Sequence, residues 1–187
     1  SYMDDDGVEV GERVPIRVKV IKHEDQMTID LSGVGAQVRG FFNSGATTGV
    51  SCAQVAYKCL TSPQDYPINE GSFRALKVVL GGASVVSAVK PAAMRWWMTF
   101  PMTVIDTIFK ALERAVPRHT IAGHHADLMV PLIDGISPFD GRFFIANKSS
   151  IGGGWGAKHG EDGISATVCI NCGDTHNSPC EHMEAKY

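Results

Sequence analysis

No stretch of this 187-residue chain approaches the roughly 18 consecutive apolar residues that a membrane-spanning helix needs. Basic clustering is missing too. Lys and Arg number 17 against 20 Asp and Glu, and they are scattered, for a formal net charge of −3. A nucleic-acid partner therefore has no electropositive footprint to dock on. The opening residues, Ser1 to Gly7, are acidic where a secretory leader would be basic and then apolar, so a cytoplasmic protein is expected. Disulfides are not expected either: five cysteines is an odd number, and Cys52 and Cys59 fall inside one helical pattern as ordinary buried thiols. The chain lacks the G-x-S-x-G elbow of a serine hydrolase. With 44% hydrophobic and 20% charged residues, what is present has the make-up of one globular domain with a real core.

Apolar and polar residues alternate from Val14 to Leu31, with Ile16, Val18 and Val20 facing one way and Arg17 and Lys19 the other. Met27, Ile29 and Leu31 continue the pattern, which predicts a hairpin turning at His23 to Gln26. Four glycines among residues 32–45, around Phe41, Phe42 and Asn43, suit an ordered loop rather than a regular element. Thr47 or Thr48 is expected to cap a helix that ends at Ser62-Pro63. After a turn at Pro67, Asn69 and Gly71, Leu76 to Leu80 reads as a buried strand. The spacing of Val104, Ile105, Ile108, Phe109 and Leu112 predicts a second helix over 101–115, with Pro101 in its first turn and Pro117 beyond its end. Further short strands are expected near 128–133, 142–146 and 164–170. The fold class is therefore α+β (mixed α/β), a hairpin and short strands packed with two main helices and glycine-rich loops.

Three groups have the residue types that carry chemistry. Residues 151–157, IGGGWGA, hold consecutive glycines of the kind whose N–H groups can cradle an anion. Lys158 follows Ala157 and precedes His159, so the Walker pattern fails, and Lys158 to Gly163 reads as a turn rather than a helix. A tight structural loop carrying Trp155 is the simpler reading. His124, His125 and Asp127 form an HHxD group suited to a divalent metal or to acid–base work, against ordinary hydrogen-bonded histidines. On a strand, His125 and Asp127 would share a face and His124 would point away. In the tail, Cys169, Cys172, His176, Cys180 and His182 offer alternative ligands for a structural zinc. No glycine-turned knuckle separates the first pair, and no second half-site appears elsewhere.

Taken together, IDLSG at 29–33, QVRGFFNSG at 37–45, INEGSFRALKV at 68–78, KPAAM at 90–94, IDTIFKALERAVP at 105–117, GGGWGA at 152–157, EDG at 161–163 and NSPCEHMEAKY at 177–187 form an ordered series. In that order and spacing the chain resembles the hydantoinase B family across nearly its whole length. The resemblance implies the B-type subunit of an ATP-dependent cyclic-amide hydrolase, of the hydantoinase or 5-oxoprolinase kind. ATP would be bound by a hydantoinase A-type partner, which phosphorylates the substrate's carbonyl oxygen, and the two would form a hetero-oligomer. The chain is expected to be a fragment of such a subunit, inactive alone. Cys180 stands where the family tends to have a polar residue or valine, which weakens the zinc reading.

Carried over residue by residue, the resemblance implies substrate-site roles for Asp30, Ser32, Gly33, Asn43, Asn69, Gly71, Gly152, Gly153, Gly154, Trp155, Gly156 and Asp162, with loop architecture as the alternative for each. Three other readings stand beside the hydrolase: the ketone-carboxylase branch of the same family, a non-catalytic assembly module contacting a partner through Trp96 and Trp97, and a small zinc protein held by its tail. Core filling is the plain alternative for the two tryptophans.

Overall fold

The computed structural model describes residues 1–62, 67–94, 99–125, 132–147 and 153–165. Its centre is a three-stranded sheet of β3 (Lys19–His23), β4 (Gln26–Leu31) and β5 (Leu76–Leu80), in the order β3-β4-β5. The hairpin is there: β3 and β4 pair antiparallel, with His23 opposite Gln26, so Glu24 and Asp25 make the turn. Glu24 takes a positive φ of 51° to close it. The alternation also holds, since Val14, Ile16, Ile29 and Leu31 are buried while Arg17 and Lys19 are exposed.

β5 runs parallel to β4, a pairing that needs a crossover rather than a hairpin. The helix α1 (Ala46–Thr61) supplies it. This helix is capped by Gly45, without a side-chain bond, and not by Thr47 or Thr48, which lie inside its first turn. Gly49, Cys52, Ala53 and Ala56 form its buried face. Small residues here let the axis come close to the backbone of the 85–86 segment, and a Cβ at Gly49 would run into the Val86 carbonyl oxygen. Cys59 corrects the expectation of two buried thiols, because it is exposed while Cys52 is buried. It lies on the same helical face as Cys52, seven residues on, but in the last turns of α1, where that face opens onto a cavity instead of the core. β5 itself is half-buried rather than buried, as an edge strand of the sheet.

The second helix, α2 (Thr99–Leu112), begins two residues earlier and ends three earlier than the 101–115 expectation. From Pro101 to Phe109 every residue but Asp106 is buried, so it is a central helix and not one with a single apolar stripe. It packs against α1, β3 and the short β1 (Tyr2–Met3), which pairs with β2 (Val14–Pro15). Its two buried threonines are satisfied: Thr107 Oγ1 donates to the Thr103 carbonyl at 2.6 Å, and Thr103 Oγ1 to Met3 Sδ at 3.1 Å. Ile105 and Ile108, both fully buried, each contribute about 2 kcal/mol through the area they remove from water.

β6 (Leu132–Ile136) and β7 (Phe143–Asn147) pair antiparallel as a separate ribbon; β6 overlaps the end of the expected 128–133 strand, while residues 128–131 and 166–170 of the expected strands lie outside the described residues. The mixed α+β class stands. No helix among the described residues is long and apolar enough to cross a membrane.

Candidate functional site

The segment 153–165 does not form a helix after its glycines. It lies as an irregular ribbon against residues 121–125, with Ala122 N donating to the Ala157 carbonyl at 2.9 Å and His125 N to the Gly154 carbonyl at 2.8 Å. Trp155 and Ile164 exchange backbone bonds at 2.8 and 3.0 Å, and Lys158 and Glu161 close a tight turn with bonds of 3.1 Å in both directions. The glycines are required by this contact. A Cβ at Gly156 would meet the Gly123 carbonyl oxygen, and one at Gly153 would meet the His125 ring. The run of glycines is thus a close-approach surface, and the turn over Lys158 to Gly163 is as the residues suggested.

Where this ribbon closes on the C-terminal ends of α1 and α2, it bounds a cavity of about 490 Å³. That volume lies within the range of small-molecule sites, about 300–1,000 Å³. Phe109, Ile121, Trp155 and Ile164 make the apolar wall, while Lys58, Arg118, His119, Lys158, Glu161 and Asp162 bring polar groups to it. Cys59, Ser62, Thr120 and Gly156 complete the lining. Lys158 Nζ is engaged by Glu161 Oε2 at 2.9 Å.

Behind Trp155 sits a pair of which the sequence had marked only one member, His124. His124 Nδ1 lies 2.5 Å from Asp106 Oδ1, and the His124 side chain is fully buried. Its ring meets Trp155 edge-on, with centroids 6.1 Å apart. Asp106 is the one half-buried position in the buried run of α2. A lone carboxylate in that run was the available signal. His124 Nε2 and His125 Nε2 are both buried without a hydrogen-bond partner. Among the described residues no third His, Cys, Asp or Glu groups with them. Catalytic ions usually take three or more protein ligands, and the third that the HHxD group nominates is not among the described residues. Asp127 and the alternative ligands Cys169, Cys172, His176, Cys180 and His182 lie outside the described residues.

The whole chain, residues 1–187, matches the family model described as hydantoinase B/oxoprolinase. The chain belongs to that family. Among family relatives, a Pseudomonas protein named as the B-type subunit of a D-/L-hydantoinase is 26% identical over all of this chain and 32% of its own length. An uncharacterized protein of Methanocaldococcus jannaschii is 28% identical over 76% of this chain and 24% of its own. Of solved structures, the ATP-dependent caprolactamase from Pseudomonas jessenii superposes with a TM-score of 0.84 at 26% identity, over 100% of this chain and 32% of that one. Nucleotide-free acetone carboxylase shares the fold, with a TM-score of 0.78 at 15% identity over 97% of this chain and 24% of that one. This hydantoinase B segment thus spans about a third, or less, of the length of these proteins.

Of the residues that the family resemblance nominated, the fold gathers Trp155, Gly156 and Asp162 at the cavity, with Gly153 and Gly154 in the ribbon behind it. Gly152 lies outside the described residues, as do Trp96 and Trp97. Asn43 is elsewhere. It is buried just before the N-terminal end of α1, while Cys59 lines the cavity at the other end, about 20 Å away along the helix axis. Its side chain is fully engaged in bracing: Oδ1 accepts from Val38 N, and Nδ2 donates to the carbonyls of Val38, Gly40 and Ala93. Asp30, Ser32 and Gly33 mark the far end of β4. There the Ser32 hydroxyl and N–H hold the Asp30 carboxyl below its ordinary range. Asn69 and Gly71 form an exposed turn that leads into β5, in which Asn69 N donates to Ser72 Oγ at 3.3 Å. Lys58, Arg118 and His119, absent from the nominated set, are instead brought to the cavity by packing.

Proposed function

We propose that this chain forms part of the B-type subunit of an ATP-dependent cyclic-amide hydrolase, and that the cavity beneath the Trp155 ribbon receives the ring whose carbonyl oxygen has been phosphorylated. The observation that carries the reading is this cavity, with its Trp155 and Phe109 wall, in a hydantoinase B chain. The caprolactamase, by its name an ATP-dependent enzyme acting on a lactam, supports the hydrolase branch over the carboxylase one, because acetone carboxylase is the more distant in sequence.

Phosphorylating the amide oxygen makes the ring carbon electrophilic. Water adds there, the ring C–N bond breaks with the nitrogen leaving as amine, and a second water releases phosphate from the acyl phosphate that remains. The A-type partner binds ATP and performs the phosphorylation, in a hetero-oligomer acting on a small-molecule substrate. This chain's residues then hold the flat ring against Trp155 and exclude water from its apolar side. His119, exposed in the lining, is the group suited to take a proton from the attacking water. No step of this reading runs through a metal.

The test is a subunit carrying this segment, mixed with an A-type partner, ATP and hydantoin, 5-oxoproline or caprolactam, with ring opening and ADP release followed together. Ring opening that falls at least tenfold in Trp155→Ala, in a variant that melts like the parent, is expected. Partner-dependent ADP release with no ring-opened product from any of the three would overturn the hydrolase reading.

A second reading, an assembly module, is favoured by one surface. On the β6–β7 ribbon, Ile136, Phe143 and Ile145 share a face by register, and they are 64%, 62% and 62% exposed. Two-stranded ribbons are marginal without a covering layer.

A further inference from the structure

The charge of the cavity is out of keeping with the chain that builds it. Three of its fourteen lining residues are Lys or Arg and two, Glu161 and Asp162, are acidic, so the lining carries a formal +1 in a chain of net charge −3. They come from three separate segments: Lys58 from the last turn of α1, Arg118 from the turn after α2, and Lys158 from the ribbon. Glu161 occupies Lys158, whereas Arg118 has no ion pair or hydrogen bond among the described residues. A guanidinium presents a planar fork of N–H donors that matches two oxygens of a carboxylate or phosphate. The flat wall of Trp155 and the buried Phe109 lie in the same cavity.

We infer that Arg118 is a specificity-determining residue of this cavity, selecting a small ligand that carries a compact oxyanion, carboxylate or phosphate, on a flat apolar body. The inference rests on the cavity being the working site proposed above, and it adds the ligand's charge and the group that reads it. Arg118 is exposed at its turn, so replacing it leaves the core untouched. Among the described residues, its charge is open to a ligand with no existing pair to break.

The experiment is calorimetric titration of the protein alone with benzoate, phenyl phosphate and neutral benzamide, without partner or ATP. Both oxyanions are expected to bind saturably, and benzamide about tenfold more weakly. Arg118→Gln is expected to weaken oxyanion binding about tenfold, the usual scale for a lost charge-assisted hydrogen bond, and to leave benzamide unchanged. Arg118→Lys keeps the charge without the fork and should retain part of the affinity. Arg142→Gln, on the β6–β7 ribbon, should match the parent. Binding of one oxyanion alone, with the same Arg118 dependence, supports the assignment and identifies the head group. Equal affinity for benzamide and the oxyanions, no saturable oxyanion binding, or indifference to Arg118→Gln overturns it. Ring-opening activity that survives such a failure separates this inference from the hydrolase reading, and oxyanion binding without ring opening separates them the other way.

Discussion

Replacing Asn43 by alanine should destabilise the protein by about 3–4 kcal/mol without removing a substrate contact. The side chain is 1% exposed and makes four hydrogen bonds, at 2.8 Å from Val38 N and at 2.9, 3.0 and 2.9 Å to the Val38, Gly40 and Ala93 carbonyls. Each such bond is worth about 1 kcal/mol net, and the backbone groups left behind lie where replacement partners are scarce. A loss of that size in a chain of this length lowers the melting temperature by roughly 10 °C. Asn43→Asp should be worse at neutral pH, since it turns a carboxylate oxygen toward three carbonyls. The penalty should shrink as acid protonates it. Urea unfolding at several pH values measures both changes. A loss below about 1 kcal/mol for Asn43→Ala, or an aspartate variant as stable as the parent at neutral pH, would refute the bracing argument. Where the alanine variant remains folded, KM should be unchanged, because the side chain sits far from the cavity.

Gly49→Ala places a Cβ on the Val86 carbonyl oxygen and should lower stability by about 1–3 kcal/mol in thermal melts, the reverse of the usual gain from Ala in a helix. Burial pushes the Cys52 thiol up to about 12 and raises that of Cys59 as well, but Cys59 is open to solvent, so peptide mapping after alkylation should find Cys59 modified and Cys52 not; modified Cys52 in folded protein would contradict the packing of α1. The N–H groups of Gly40, Glu9 and Val8 hold the Asp6 carboxyl below its ordinary 3.8. Because the folded value is the lower one, this contribution is present above 3.8 and lost as pH falls from there through the folded value. Asp6→Asn should therefore lower stability at neutral pH and flatten its acid limb, and an unchanged acid limb in denaturant titrations would count against the loop clamp.

Local pattern carried much of the fold. The period-two alternation from Val14 to Leu31 implied the hairpin, and the helical recurrence of Val104, Ile105, Ile108 and Phe109 implied α2, because each depends only on near neighbours along the chain. The ordered motif series pointed to the hydantoinase B family by the same kind of local reading. Helix ends were less legible: Thr47 and Thr48 have the right side chains for a cap, but the loop braced by Asn43 enters the helix at Gly45 instead.

The tertiary structure alone decided which of these residues meet. Asp106 and His124 stand 18 positions apart and form a 2.5 Å pair because α2 and the 121–125 segment pack together. Lys58, Arg118 and Trp155 share a cavity because α1, the turn after α2 and the glycine ribbon converge, while Asn43 and Trp155, both carried by family motifs, end up at opposite ends of a helix. Hydrophobic periodicity records which face of an element is buried, a property of neighbours in sequence. The contact that makes a site is chosen by how those faces stack, and a single sequence records that only weakly.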